Sequence, residues 1–170
     1  HYKTKPFYLI FILLITSFIT LAALLSQYPL LNFDIQVSQF LQKHHSVFLD
    51  KLMLSISVFG ELPWSLLLVV LIAAIFFILK YRRESYYILS ILLSGLVILG
   101  VKNIISRPRP TAEYVRLVEV NRFQSFPSGH VMSYLIFFGF MIVLMKTMKV
   151  INQQLRNFIT YLSGVLIVTI

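Results

Sequence analysis

Cysteine is absent from all 170 residues, which removes disulfide frameworks, thiolate nucleophiles and cysteine metal sites from consideration. Charge is scarce as well. Only 12% of the chain is Asp, Glu, Lys or Arg, against about 25% in a soluble domain. With 58% of residues hydrophobic and a mean hydropathy of +0.85, too few solvated side chains exist to coat a globule. An ordinary soluble domain, a disordered chain and a fibrous repeat are excluded, and neither an internal repeat nor a low-complexity tract is present. Acids are rarest, six against 15 Lys and Arg, for a net charge of +9. In a soluble protein that excess would suggest nucleic acid; in a membrane protein it suggests anchoring.

What remains are apolar runs. Residues 7–26 carry no charge and are long enough to cross a hydrocarbon core, and further spans are expected near 62–79, 85–101, 130–146 and 157–170. Segments such as LLLVVLIAAIFFIL do not alternate with period two, so an all-α, polytopic helical bundle is expected rather than a barrel. Residues 7–26 exceed the usual signal-peptide core and lack a convincing cleavage site before Gln27, so they read as a retained span.

The basic residues orient the bundle. Lys3, Lys5, Lys80, Arg82, Arg83, Lys146, Lys149 and Arg156 fall in one set of connections, with Glu84 as its single acid. The opposite set holds seven bases against five acids. The positive-inside rule places the first set, and the N-terminus, in the cytoplasm of a cell-membrane protein. Most of the charge excess is thereby topological, and a nucleic-acid partner is not expected. The connection at 32–60 is too polar to cross, but Val37, Phe40 and Leu41, then Leu49, Leu52, Met53 and Ile56, recur at helical spacing. Short interfacial helices are expected there, with His44 and His45 as solvated loop residues.

The opposite, outer set contains one long polar loop, residues 102–129, whose bases anchoring explains poorly. At its start, Lys102 is expected to close the third span, where a cation suits the helix dipole. Pro108 and Pro110 then forbid further helix and point Arg107 and Arg109 away from the bundle; a basic helix end snorkelling to headgroups is the plainer alternative. At the loop's end, Ser128 is a plausible N-cap, Gly129 permits close backbone approach, and His130 enters at the membrane boundary, where an ionisable group needs a partner or a role. Fixed cations and helix N–H donors suit a tetrahedral oxyanion, and a histidine near neutral pKa can move a proton beside it. Phosphoryl chemistry on a substrate reached from the outer leaflet follows as the expectation.

The ordered pair K-x-x-x-x-x-x-R-P, at Lys102 to Pro110, and P-S-G-H, at Pro127 to His130, resembles the first two signatures of the type 2 phosphatidic acid phosphatase superfamily. The resemblance implies one six-span transmembrane phosphatase domain that needs no metal and no cofactor. It would act on a lipid phosphate monoester or diphosphate, such as phosphatidic acid, phosphatidylglycerophosphate or undecaprenyl diphosphate, at the extracytoplasmic face. It implies that Lys102 and Arg109 grip the phosphate, that Ser128 and the Gly129 amide hydrogen-bond its oxygens, and that His130 protonates the leaving alcohol. Arg107 is two residues short of the family spacing.

The family's third signature, S-R-x-x-x-x-x-H-x-x-x-D, supplies the nucleophilic histidine and its orienting acid, and nothing here matches it. No histidine follows His130 and no acid follows Glu119. The last apolar run has only fourteen residues, about 21 Å at 1.5 Å per residue. The expectation is therefore a C-terminally incomplete chain, inactive as it stands, with its nucleophile beyond Ile170. A lipid phosphotransferase, or a non-catalytic lipid-phosphate-binding or transport protein, would use the same anion pocket.

Overall fold

A computed structural model describes residues 4–28, 32–43, 46–109 and 124–170, with side chains from Pro6 onward. The all-helical expectation holds: among the described residues there is helix and no strand. His44, His45, Glu113, Arg116, Glu119 and Arg122 lie outside the described residues. The order is α1 (Thr4–Gln27), α2 (Asn32–Gln42), α3 (Val47–Ser57), a 3-10 turn (Val58–Gly60), α4 (Trp64–Ile78), α5 (Arg82–Ile105), α6 (Gly129–Thr147) and α7 (Gln153–Thr169).

Three of these helices have the length and apolarity to cross a membrane: Pro6–Gln27, Arg82–Ile105 and Gly129–Thr147. A fourth crossing exists if Val47–Gly60 and Trp64–Ile78, bent by 59°, count as one broken span. On that count α3 would continue α4 into one broken span, whereas α2 and α3 as short separate helices agree with the helical spacing read from residues 32–60. At 15 residues α4 alone reaches only part way, about 22 Å against a core of about 30 Å. α7, with 17 residues, is similarly short.

The chain divides into two compact units, His1–His44 with Lys102–Phe126, and His45–Val101 with Pro127–Ile170. In the first, α1 is apolar on every side and exposed almost throughout, the pattern of a helix solvated by lipid. Its threonines turn their hydroxyls back on the helix: Thr16 donates to the Ile12 carbonyl at 2.8 Å and Thr20 to the Thr16 carbonyl at 2.9 Å. Neither then presents an unmet donor to hydrocarbon. Leu25 is its buried residue, and Phe18 stacks with Phe126, their rings 5.8 Å apart.

The second unit holds the core. Val69, Ala73 and Phe76 of α4, Ile88 of α5, and Phe137, Met141, Leu144 and Met145 of α6 pack into one cluster. The turn from α4 to α5 is closed by Lys80 in the left-handed region, at φ 68°, and by the Tyr81 N–H donating to the Phe76 carbonyl at 2.8 Å. Side-chain hydroxyl and guanidinium groups then tie helix to helix through main-chain carbonyls. Ser85, buried in α5, donates to the Ala73 carbonyl of α4 at 2.8 Å. Arg156 of α7 donates to the Met145 carbonyl of α6 at 2.6 Å. Ser46 caps α3 and Asn152 caps α7 by accepting from the backbone two or three residues ahead.

The Ser85 bond joins two helices across a buried interface, whereas the exposed Ser90 of the same helix bonds only its own helix at the Tyr87 carbonyl. Ser85→Ala is expected to lower the unfolding free energy in detergent by about 1 kcal/mol. Ser90→Ala should change it little, and equal effects of the two would contradict this assignment.

Candidate functional site

The five residues singled out by the sequence pattern fall into two sets, one in each unit: Lys102 and Arg109 in the first, Ser128, Gly129 and His130 in the second.

In the first unit, α5 does not end at Lys102 as expected but runs on to Ile105. Nothing in Asn103-Ile104-Ile105 stops a helix; the stop comes from Pro108, which disfavours the helical region for Arg107 before it. Lys102 is consequently not an exposed helix terminus. It is 5% exposed, and its ammonium donates to the Gln124 carbonyl at 2.6 Å. A buried ammonium needs such a partner. Arg109 is exposed on the segment that follows.

Beyond Ile105 the chain reverses at Ser106, a left-handed residue with φ 48°. Its N–H donates to the Lys102 carbonyl at 2.8 Å and its hydroxyl to the Asn103 carbonyl at 2.6 Å, closing the helix end. The Arg-Pro-Arg segment that follows is then pinned from two directions. The Arg107 guanidinium pairs with the Asp34 carboxylate of α2. The Ser125 N–H donates to the Arg107 carbonyl at 3.0 Å, and the Ser125 hydroxyl to the Pro108 carbonyl at 2.8 Å. This corrects the expectation that both arginines point away from the bundle: Arg107 is 13% exposed and turned against α2. The pair is missed by sequence reasoning because Asp34 and Arg107 are far apart in the chain.

In the second unit, Ser128 is the N-cap of α6, accepting from the Val131 N–H at 3.4 Å. Pro127 before it is buried, Ser128 is exposed, and Gly129 and His130 are half-buried in the first turn. The early N–H groups of α6 have no carbonyl of their own to bond, so this turn is an anion-favouring helix start. The imidazole of His130 rests against Gly60, the last residue of the 3-10 turn. One turn along α6, Tyr134 is 1% exposed and its hydroxyl donates to the Ile56 carbonyl of α3. Gly60 and Tyr134 were not picked out from sequence. A glycine at the join of two apolar segments, and an aromatic four residues from the histidine on the same helix face, are the signals that could have found them.

A family model described as the PAP2 superfamily matches residues 62–170, about two thirds of the chain. The chain belongs to the PAP2 superfamily. Both the P-S-G-H segment and the Lys102-to-Pro110 segment fall inside the matched PAP2 region. Among solved structures, a transmembrane PAP2-type phosphatidylglycerolphosphate phosphatase from Bacillus subtilis is similar, with a TM-score of 0.69 at 22% identity over 91% of this chain and 78% of that one. The PAP2 fold is thus shared at a low level of identity. No curated protein matches significantly.

If the Asp34–Arg107 pair holds the Arg-Pro-Arg segment in place, Asp34→Asn should speed amide hydrogen exchange at Ser125, whose N–H bonds the Arg107 carbonyl, by at least about tenfold, a loss of about 1.4 kcal/mol of local protection. Unchanged exchange there would show that the Ser125 bonds alone suffice.

Proposed function

We propose that this chain carries the phosphate-binding and proton-donating parts of a metal-independent lipid phosphatase acting at the extracytoplasmic membrane face. Membership of the PAP2 superfamily supports lipid phosphatase chemistry. The observation that carries the assignment of residues is the burial of the Lys102 ammonium, which donates to the Gln124 carbonyl at the start of the Lys102-to-Pro110 motif. At the family spacing, that ammonium and the Arg109 guanidinium can both bond one phosphate. Ser128 and the Gly129 amide, at the start of α6, supply neutral donors to the remaining oxygens. On the family pattern we assign both sets of residues to one phosphate.

In the proposed double displacement, a histidine nitrogen attacks phosphorus as the ester P–O bond breaks. His130 gives its proton to the departing alkoxide, so the lipid alcohol leaves neutral. His130, now a base, takes a proton from water; the water oxygen bonds phosphorus, the N–P bond breaks, and inorganic phosphate departs. No residue among the 170 matches the nucleophile of the family's third signature. Residues 1–170 alone are therefore expected to bind phosphate without turning it over. The distribution of Lys and Arg supports the outer face, and apolar helices suit a substrate with acyl or prenyl chains.

The test is lipid-phosphate hydrolysis by the full-length protein in detergent, beginning with phosphatidylglycerolphosphate. His130→Ala is expected to retain its fold and lose nearly all activity, and turnover at the wild-type rate in that variant overturns its acid role. Lys102→Ala should weaken inhibition by vanadate, which mimics the transferring phosphate, by about 10-fold or more, the loss of one charge-assisted bond of about 1.5–3 kcal/mol. Unchanged inhibition counts against the phosphate grip. Release of phosphate only when an acceptor alcohol is added would mark a phosphotransferase instead.

A further inference from the structure

We infer that Gly60 and Tyr134 are positioning residues for His130, and that the corner made by α3 and its 3-10 turn is the shelf on which the imidazole is held. The inference rests on the reading of His130 as the proton donor and adds to it the elements that aim the ring.

A Cβ placed on Gly60 would lie 2.5 Å from His130 Cδ2, 2.9 Å from Cγ and 3.1 Å from Cα. Real Cβ atoms essentially never come within 3.0 Å of another heavy atom, as the first two would, and ordinary contact begins at 3.4 Å. The neighbours that would have to move are unhelpfully placed. Cγ is the ring atom nearest the main chain and moves only with χ1, and Cα is helix backbone. Neither is the loose end of a flexible side chain. Gly60 is therefore a glycine because a ring occupies the volume that any side chain would need. By contrast, a Cβ on Gly139, farther along the same helix, would meet nothing within 4 Å.

The second point of attachment is Tyr134, which lies almost fully buried and donates its hydroxyl to the Ile56 carbonyl. His130 and Tyr134 are four residues apart on α6, as Ile56 and Gly60 are across the end of α3 and its 3-10 turn. One face of α6 thus meets the corner twice, with the chains antiparallel at the contact. Tyr134 sets the height and rotation of the helix against the corner, and Gly60 sets how close the imidazole can come. Ring position is what proton donation depends on, since the donor must sit within hydrogen-bond reach of the leaving oxygen.

The experiment compares Gly60→Ala, Tyr134→Phe, Gly139→Ala and His130→Ala in the full-length protein. It reads hydrolysis kinetics, vanadate affinity and the ring resonances of 15N-histidine. Gly60→Ala has to displace the ring by roughly 1 Å, and a misplacement of that size costs about 100-fold in turnover. The expected result is that loss in kcat with KM and vanadate affinity nearly unchanged, and a moved His130 ring resonance. Tyr134→Phe removes one oxygen and adds no atom. It should move the same resonance and lower kcat by a smaller factor, and it carries the test alone if Gly60→Ala does not fold. Gly139→Ala should behave as wild type. Wild-type kcat with unmoved ring resonances in both Gly60→Ala and Tyr134→Phe overturns the inference. A parallel loss of vanadate affinity also overturns it, because the damage would then be general rather than to the ring. Wild-type turnover in His130→Ala overturns the donor reading and the catalytic part of the inference with it. A ring resonance that moves in Gly60→Ala would then support the contact alone.

Discussion

A polar side chain that enters a helical membrane bundle must find its hydrogen-bond partner inside the protein, and for four residues here that partner is a main-chain carbonyl of another segment. Ser85 finds Ala73, Tyr134 finds Ile56, Arg156 finds Met145 and Lys102 finds Gln124. Each bond fixes one segment against another at a chosen residue, which apolar packing between smooth Leu and Ile surfaces cannot do as sharply. Among the described residues no buried side-chain polar atom lacks a partner. The constraint that limits polar groups in the membrane is thus also what sets register within each unit.

The same constraint separates the two arginines of the Arg-Pro-Arg segment. Both precede proline and both are basic, yet Arg107 is drawn in by the Asp34 carboxylate while Arg109 stays exposed. The difference in setting between two identical residues, two positions apart, is created by a helix some seventy residues earlier in the chain.

Much of this was legible in the sequence because it is local. Uninterrupted apolar runs mark α1, α5 and α6, Ser128 declares itself as the cap of α6, and the paired motifs carry the family. What the sequence could not show depends on contacts distant along the chain. The extension of α5 past Lys102 turns a terminal cation into a buried one, and the Asp34–Arg107 pair reverses the direction expected of an arginine. The meeting of Gly60 with His130 requires two segments seventy residues apart to pack without a side chain between them. Composition sees a glycine and a histidine there, and nothing of their proximity.

Ser128 illustrates how a site can decide between residues that a fold would accept equally. Its oxygen accepts from the Val131 N–H, and a hydroxyl that caps in this way still carries a proton to donate. Asp, Asn and Thr cap helices comparably well, but they differ in what they show to the surroundings. Aspartate would offer a negative charge and no proton, and asparagine a broader, planar amide. A hydroxyl caps with one lone pair and donates with its hydrogen, so one small group faces inward as a base and outward as an acid. At a helix start proposed to face an anion, that polarity makes serine a better fit than an equally strong cap of the opposite sign.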